Sequence, residues 1–221
     1  MPKPFMVRDC ALVIVSVSIP PVYDLRDLRE RLEVCPGESL YHHFCQTLLR
    51  PTFDDPEYHN DLAFWARHSL HDKTLAERLA ILNPFEFRTL EGLRLAVLDV
   101  IEDRIGELPH ISNVQTGDEF RFLQALTVTF ETGLSAREPG ELLGAIRQMT
   151  PSSIWYHFIE SRRRNPDHLD DFTCWLRDHG LQDEPGMRKL GEIDFYFMSL
   201  RELQQEILSL FETRAFGGLS S

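Results

Sequence analysis

The chain has 221 residues, 43% of them hydrophobic and 26% charged, with a formal net charge of -12. That length suits one large domain or two of about 100 residues, with enough apolar side chains to bury a core. So acidic a chain excludes a nucleic-acid or anionic-membrane surface, since both need a basic footprint.

The first element is the apolar run "CALVIVSVSI". Lys3 and Arg8 before it imitate a secretion signal, but Asp9 abuts the run, no small-x-small cleavage site follows, and Pro20-Pro21 closes it. The run is too short to span a membrane. Its β-branched, partly alternating residues predict a strand over 11–18. Five helices follow. "DLRDLRERLE" stops at Pro36-Gly37. The helix containing "SLYHHF" has Ser39 as its expected N-cap and ends before Pro51. "NDLAFWARHSL" starts at an Asn60-Asp61 cap, and "TLAERLAIL" opens with a capping box from Thr74 to Glu77. After the extended link "FEF", an apolar stripe from Leu90 to Ile105 marks the fifth helix.

The polar stretch 107–118 reads as a linker, and beyond it the pattern repeats. At an offset of 114 residues "SLYHHF" falls on "SIWYHF", and Ala11-Leu12 on Ala125-Leu126. At an offset of 110, Asp61, Trp65 and Arg67 meet Asp171, Trp175 and Arg177. A strand is expected over 120–130, then helices "PGELLGAIRQM", "SIWYHF" with Ser153 as cap, "DDFTCWLRDHG" with Gly180 as C-cap, "PGMRKLGEI", and a last one behind a Ser199–Glu202 capping box. The link "FYF" stands where the first half has "FEF". We read this as an internal duplication. The expected fold is mainly α: two homologous helical repeats related by a pseudo-two-fold, each opened by a short strand that pairs with "FEF" or "FYF" or with its opposite number. The expected boundaries are 1–106 for the first module, 107–118 for the linker, 119–214 for the second module and 215–221 for a loose tail.

The recurring polar residues are the candidate site: His43, Asp61 and Trp65, and again His157, Asp171 and Trp175. A helix hairpin would bring each histidine to its aspartate. A buried imidazole bonded to an acid or a carbonyl would then tie two helices while the tryptophan fills the core. The sharper alternative makes the pair a general base with its orienter. Burial of both histidines against carboxylate or backbone would remove that base. No His-x-x-x-His pair with a supporting Glu, no Gly-x-Ser-x-Gly turn and no Gly-rich phosphate loop occurs. The reading therefore assigns no catalytic residue, no metal and no cofactor. The four cysteines lack the two-residue spacing of zinc or redox sites, which suits a reduced, cytoplasmic protein.

"NDLAFWA", "LAERLAIL", "FRTLEGLR" and the helix beginning "SLYHHF" resemble a prokaryotic domain family of unknown function. The second half departs from the pattern at "DDFTCW" and "GMRKLGE", and the first at Leu62, where the second keeps Phe172. The resemblance implies a mostly helical fold and brings no activity, substrate or catalytic residue. The function expected is a non-catalytic protein-interaction or regulatory module. Two alternatives stand beside it: a small-ligand site between the modules near Trp65 or Trp175, and a hydrolase-type enzyme using a His-Asp pair. The partner, protein or small molecule, is unidentified. Nucleic acid and membrane are not expected, and a homo-oligomer is left open.

Overall fold

The computed structural model describes residues 2–49, 58–182 and 184–212. Two strands, β1 (Phe5–Ser16) and β2 (Leu123–Ala136), pair as an antiparallel ribbon. Their register is set where Val17 N donates to Phe122 O at 3.3 Å. Amides in such a pair point alternately at the partner strand and at the open edge. From this register, the Arg8 and Leu123 amides face the edges.

The chain forms two compact units, 12–126 and 1–11 with 127–221, called here the contiguous unit and the split unit. In the contiguous unit the helices are α1 (Leu25–Val34), α2 (Gly37–Cys45), α3 (Asp61–His68), α4 (Lys73–Ala80) and α5 (Leu90–Glu107). Leu28, Leu32, Leu40, Phe44, Leu62, Leu79, Leu93 and Val97 are fully buried between them. The caps decide the helix starts. Asp24, Asn60, Asp72 and Thr89 each accept an orphan amide of the first turn. At the end of α1, the buried Arg94 of α5 donates to the Leu32 carbonyl.

In the split unit, α6 (Pro139–Gln148) is followed by one continuous helical stretch: α7 (Pro151–Ile154), a π-helical segment (Trp155–Glu160) and α8 (Ser161–Arg164). Then come α9 (Asp171–Asp178), α10 (Pro185–Gly191) and α11 (Leu200–Glu212). Leu142, Ile146, Trp155, Phe158, Phe172, Leu176 and Ile207 are buried here. Asp170 caps α9, Gly180 takes the left-handed turn after it (φ 78°), and Ser199 and Glu202 exchange the bonds of a capping box.

The mainly α fold with two helical repeats and short opening strands is overturned. The protein is mixed α/β: about 55% helical, with a two-stranded antiparallel sheet whose strands are 12 and 14 residues long. The expected strand of 11–18 was cut short at its start because Arg8 and Asp9 interrupt the apolar run. The alternation in fact continues through them, with Phe5 and Val7 buried and Met6 and Arg8 exposed. The opening strands pair with each other. "FEF" overlaps a 3-10 turn (Pro84–Glu86), and "FYF" is a turn with Phe195 and Tyr196 buried. Three expected caps also differ. Ser39 lies inside α2 and bonds the Leu123 carbonyl; Thr150, not Ser153, caps α7; Asp72, not Thr74, caps α4. Pro51 and the expected tail 215–221 lie outside the described residues.

Candidate functional site

Helix α2 carries His43 and α3 carries Asp61 and Trp65, all in the contiguous unit. His43 Nδ1 is 2.6 Å from Asp61 Oδ2. Its other nitrogen, Nε2, accepts the edge amide of Leu123 at 2.9 Å. An Nε2 that accepts carries no proton, so Nδ1 holds the ring proton and donates it to the carboxylate. Trp65 Nε1 donates to the Asp118 carbonyl at 2.8 Å. Between these two bonds the Phe120 ring packs 4.8 Å from the His43 ring and 5.8 Å from Trp65. The three side chains thus grip an extended segment, 118–123, by one carbonyl, one amide and one phenylalanine.

The split unit makes the same three contacts. His157 Nδ1 lies 2.8 Å from Asp171 Oδ2, its Nε2 accepts the Arg8 amide at 2.9 Å, and Trp175 Nε1 donates to the Lys3 carbonyl at 2.7 Å. Phe5 packs 4.9 Å from the His157 ring, stacks on Phe172 at 5.3 Å and meets Trp175 edge-on at 5.9 Å. Asp171 is held further by Arg164 at 2.9 Å and Asn165 at 3.2 Å, and the Arg164 guanidinium lies 4.1 Å over the Tyr156 ring. Burial alone would raise the Asp171 carboxyl. The hydrogen bond from His157 and the charge of Arg164 outweigh it and hold the group below the ordinary carboxylate range.

All six predicted residues therefore fall into two sets of three. His43 and His157 are 2% and 3% exposed, and both nitrogens of each ring are engaged. A general base needs a lone pair facing substrate, and here each lone pair faces a backbone amide. The thiols are no better placed as nucleophiles: burial pushes Cys10 up to about 12 and also raises Cys35 and Cys174.

Sequence reasoning missed the gripped residues Lys3, Phe5, Arg8, Asp118, Phe120 and Leu123. A signal was present. "KPFMVR" and "DEFRFL" share a phenylalanine at the third place and an apolar residue at the fifth, one register step away from the alignment of Ala11 with Ala125. Two further features belong to the contiguous unit. His42, His43 and Asp61 bring ligand atoms within 4.8 Å of one another, but a cation there would compete with the bonds of His43 to Asp61 and Leu123 and of His42 to Gln46. A groove of about 390 Å³ is lined by His71, Asp72, Lys73, Thr74, Arg104 and His110. His71 holds a left-handed backbone there (φ 58°), and Arg104 donates to Asp72 at 2.8 Å. Neither Trp65 nor Trp175 lines it. Among the described residues no helix is long and apolar enough to cross a membrane.

A family model described as a family of unknown function, DUF5752, matches residues 2–212. The chain belongs to that family. Its match spans both units. Among solved structures, OrfY from Thermoproteus tenax is similar over 95% of this chain and 94% of its own, with a TM-score of 0.77 and 26% sequence identity. No curated protein matches the chain.

Proposed function

We propose that this protein is a non-catalytic protein-interaction module whose His-Asp-Trp sets are clamps for extended chain segments. The observation that carries the reading is the double engagement of each imidazole, with carboxylate on one nitrogen and strand amide on the other. A clamp that binds backbone atoms and one apolar side chain recognises shape more than sequence, as β-strand recognition does elsewhere. The duplication is part of the proposal. Residues 1–106 and 119–214 would derive from one unit of strand plus helices, joined by 107–118, with each opening strand held by the helices of the other half. The recurrence of the same three bonds supports it, as do the paired sequence motifs. A cytoplasmic location fits four cysteines that all stand as free thiols.

Hydrogen exchange on His43→Phe and His157→Phe tests the clamp. The expected result is rapid exchange of the Leu123 amide in the first variant and of the Arg8 amide in the second, with helix amides still protected. Unchanged protection at both amides would refute it. A second reading, small-ligand binding, rests on the groove beside His71 and Arg104, whose volume falls in the range of ligand pockets. A thermal-shift screen of small anions and cations separates the two, since the clamp reading expects no shift.

A further inference from the structure

We propose that the clamp of the split unit also accepts the opening strand of a second copy of this chain, so that two copies exchange residues 3–8. The proposal rests on the strand-clamp reading. Two natural occupants define what a clamp takes. In Lys3-Pro4-Phe5-Met6-Val7-Arg8 and Asp118-Glu119-Phe120-Arg121-Phe122-Leu123, the first residue offers its carbonyl to the tryptophan and the sixth its amide to the histidine. The third residue, Phe5 or Phe120, lies against the imidazole, and the fifth, Val7 or Phe122, is buried. The first, second, fourth and sixth side chains share no chemistry: Lys or Asp, Pro or Glu, Met or Arg, Arg or Leu. What the two clamps share is two backbone bonds and two apolar side chains; Ser39 adds a bond to the Leu123 carbonyl in the contiguous one.

Nothing in that set depends on which chain supplies the strand. Arg8 and His157 are 149 positions apart, and the whole contiguous unit lies between them in sequence. Exchange between copies, with Phe5–Arg8 pairing with the copy's β2 as they pair with their own, would recreate the same interface, which is why swapping an identical element is a low-cost route to association. Charge favours the strand over other surfaces for this role. The chain carries a formal net charge of -12, so copies repel on the whole, whereas the segment 3–8 brings Lys3 and Arg8 and no acid. The copy's own strand competes through its high effective concentration, so exchange shows only when the internal contact is weakened.

The test mixes two full-length variants, Phe5→Ala, with a weakened strand and an intact clamp, and Trp175→Ala, the reverse. Native mass spectrometry is expected to find a mixed dimer of the two, each alone remaining mainly monomeric. A second measurement does not depend on the folding of Trp175→Ala. A fluorescent peptide of residues 2–11 should bind Phe5→Ala at least tenfold more tightly than the wild type, and the same peptide carrying Phe5→Ala should bind neither. Absence of both the mixed dimer and peptide binding overturns the exchange. If the Arg8 amide of the wild type stays protected from hydrogen exchange in that case, the internal clamp survives; if it does not, the clamp reading has failed as well.

Discussion

The two clamps share three polar contacts in different surroundings. In the contiguous unit the histidine sits on a regular α-helix, next to His42 bonded to Gln46, and Phe120 packs against Phe122 and Trp65. In the split unit it sits in a π-helical segment, next to Tyr156 beneath Arg164, and Phe5 stacks on Phe172, where the other unit has Leu62. Yet the bonds to strand amide and strand carbonyl agree within 0.1 Å. Packing around a clamp is free to change as long as volume is kept. The polar contacts are not, because each leaves a buried donor or acceptor unpaired when it is lost. The difference locates the constraint in the bonds to backbone.

The hardest way to break this likeness is Trp65→Ala beside Trp175→Ala. Each removes a side chain less than a tenth exposed together with its bond to a strand carbonyl. Each should cost about 3–5 kcal/mol in urea unfolding; a cost under about 1 kcal/mol in one unit would show that its clamp is ornamental. Asp171→Asn comes next. It keeps the shape but loses the charge-assisted bonds from His157 and Arg164, at about 1.5–3 kcal/mol near neutral pH. The sign with pH follows from the lowered carboxyl. Its stabilisation is present above the unfolded carboxyl value and fades as pH falls through the folded one, so melting curves of variant and wild type should converge in acid. The smallest effect is Phe172→Leu, which gives the split unit the side chain of the contiguous one. Loss of the stack on Phe5 should cost about 1 kcal/mol and leave the Arg8 amide protected.

Why the sequence disclosed one side of each clamp and not the other follows from the same comparison. His43, Asp61 and Trp65 act through their side chains, so their repetition as His157, Asp171 and Trp175 is visible in the letters. Their partners act through backbone atoms of Lys3, Arg8, Asp118 and Leu123, which any residue supplies, so no letter marks them. Phe5 and Phe120 were readable, but the strand ends that hold them were not. Arg8 and Asp9 look like the end of an apolar run, but Arg8 lies on the open face and the buried Asp9 is satisfied by the Cys10 amide and the Thr150 hydroxyl, so neither ends the strand. The mixed fold was missed for that reason. The π-helical turn at Trp155–Glu160 has no signature either, since it differs from the α-helix of Gly37–Cys45 only in which carbonyl each amide chooses.

The most direct test of the clamps is nitrogen NMR of the two histidines near neutral pH. The account predicts that His43 and His157 both carry their proton on Nδ1, and that their Nε2 atoms show coupling across the hydrogen bond to the amides of Leu123 and Arg8. A proton on either Nε2, or an uncoupled and rapidly exchanging amide at Leu123 or Arg8, would contradict it.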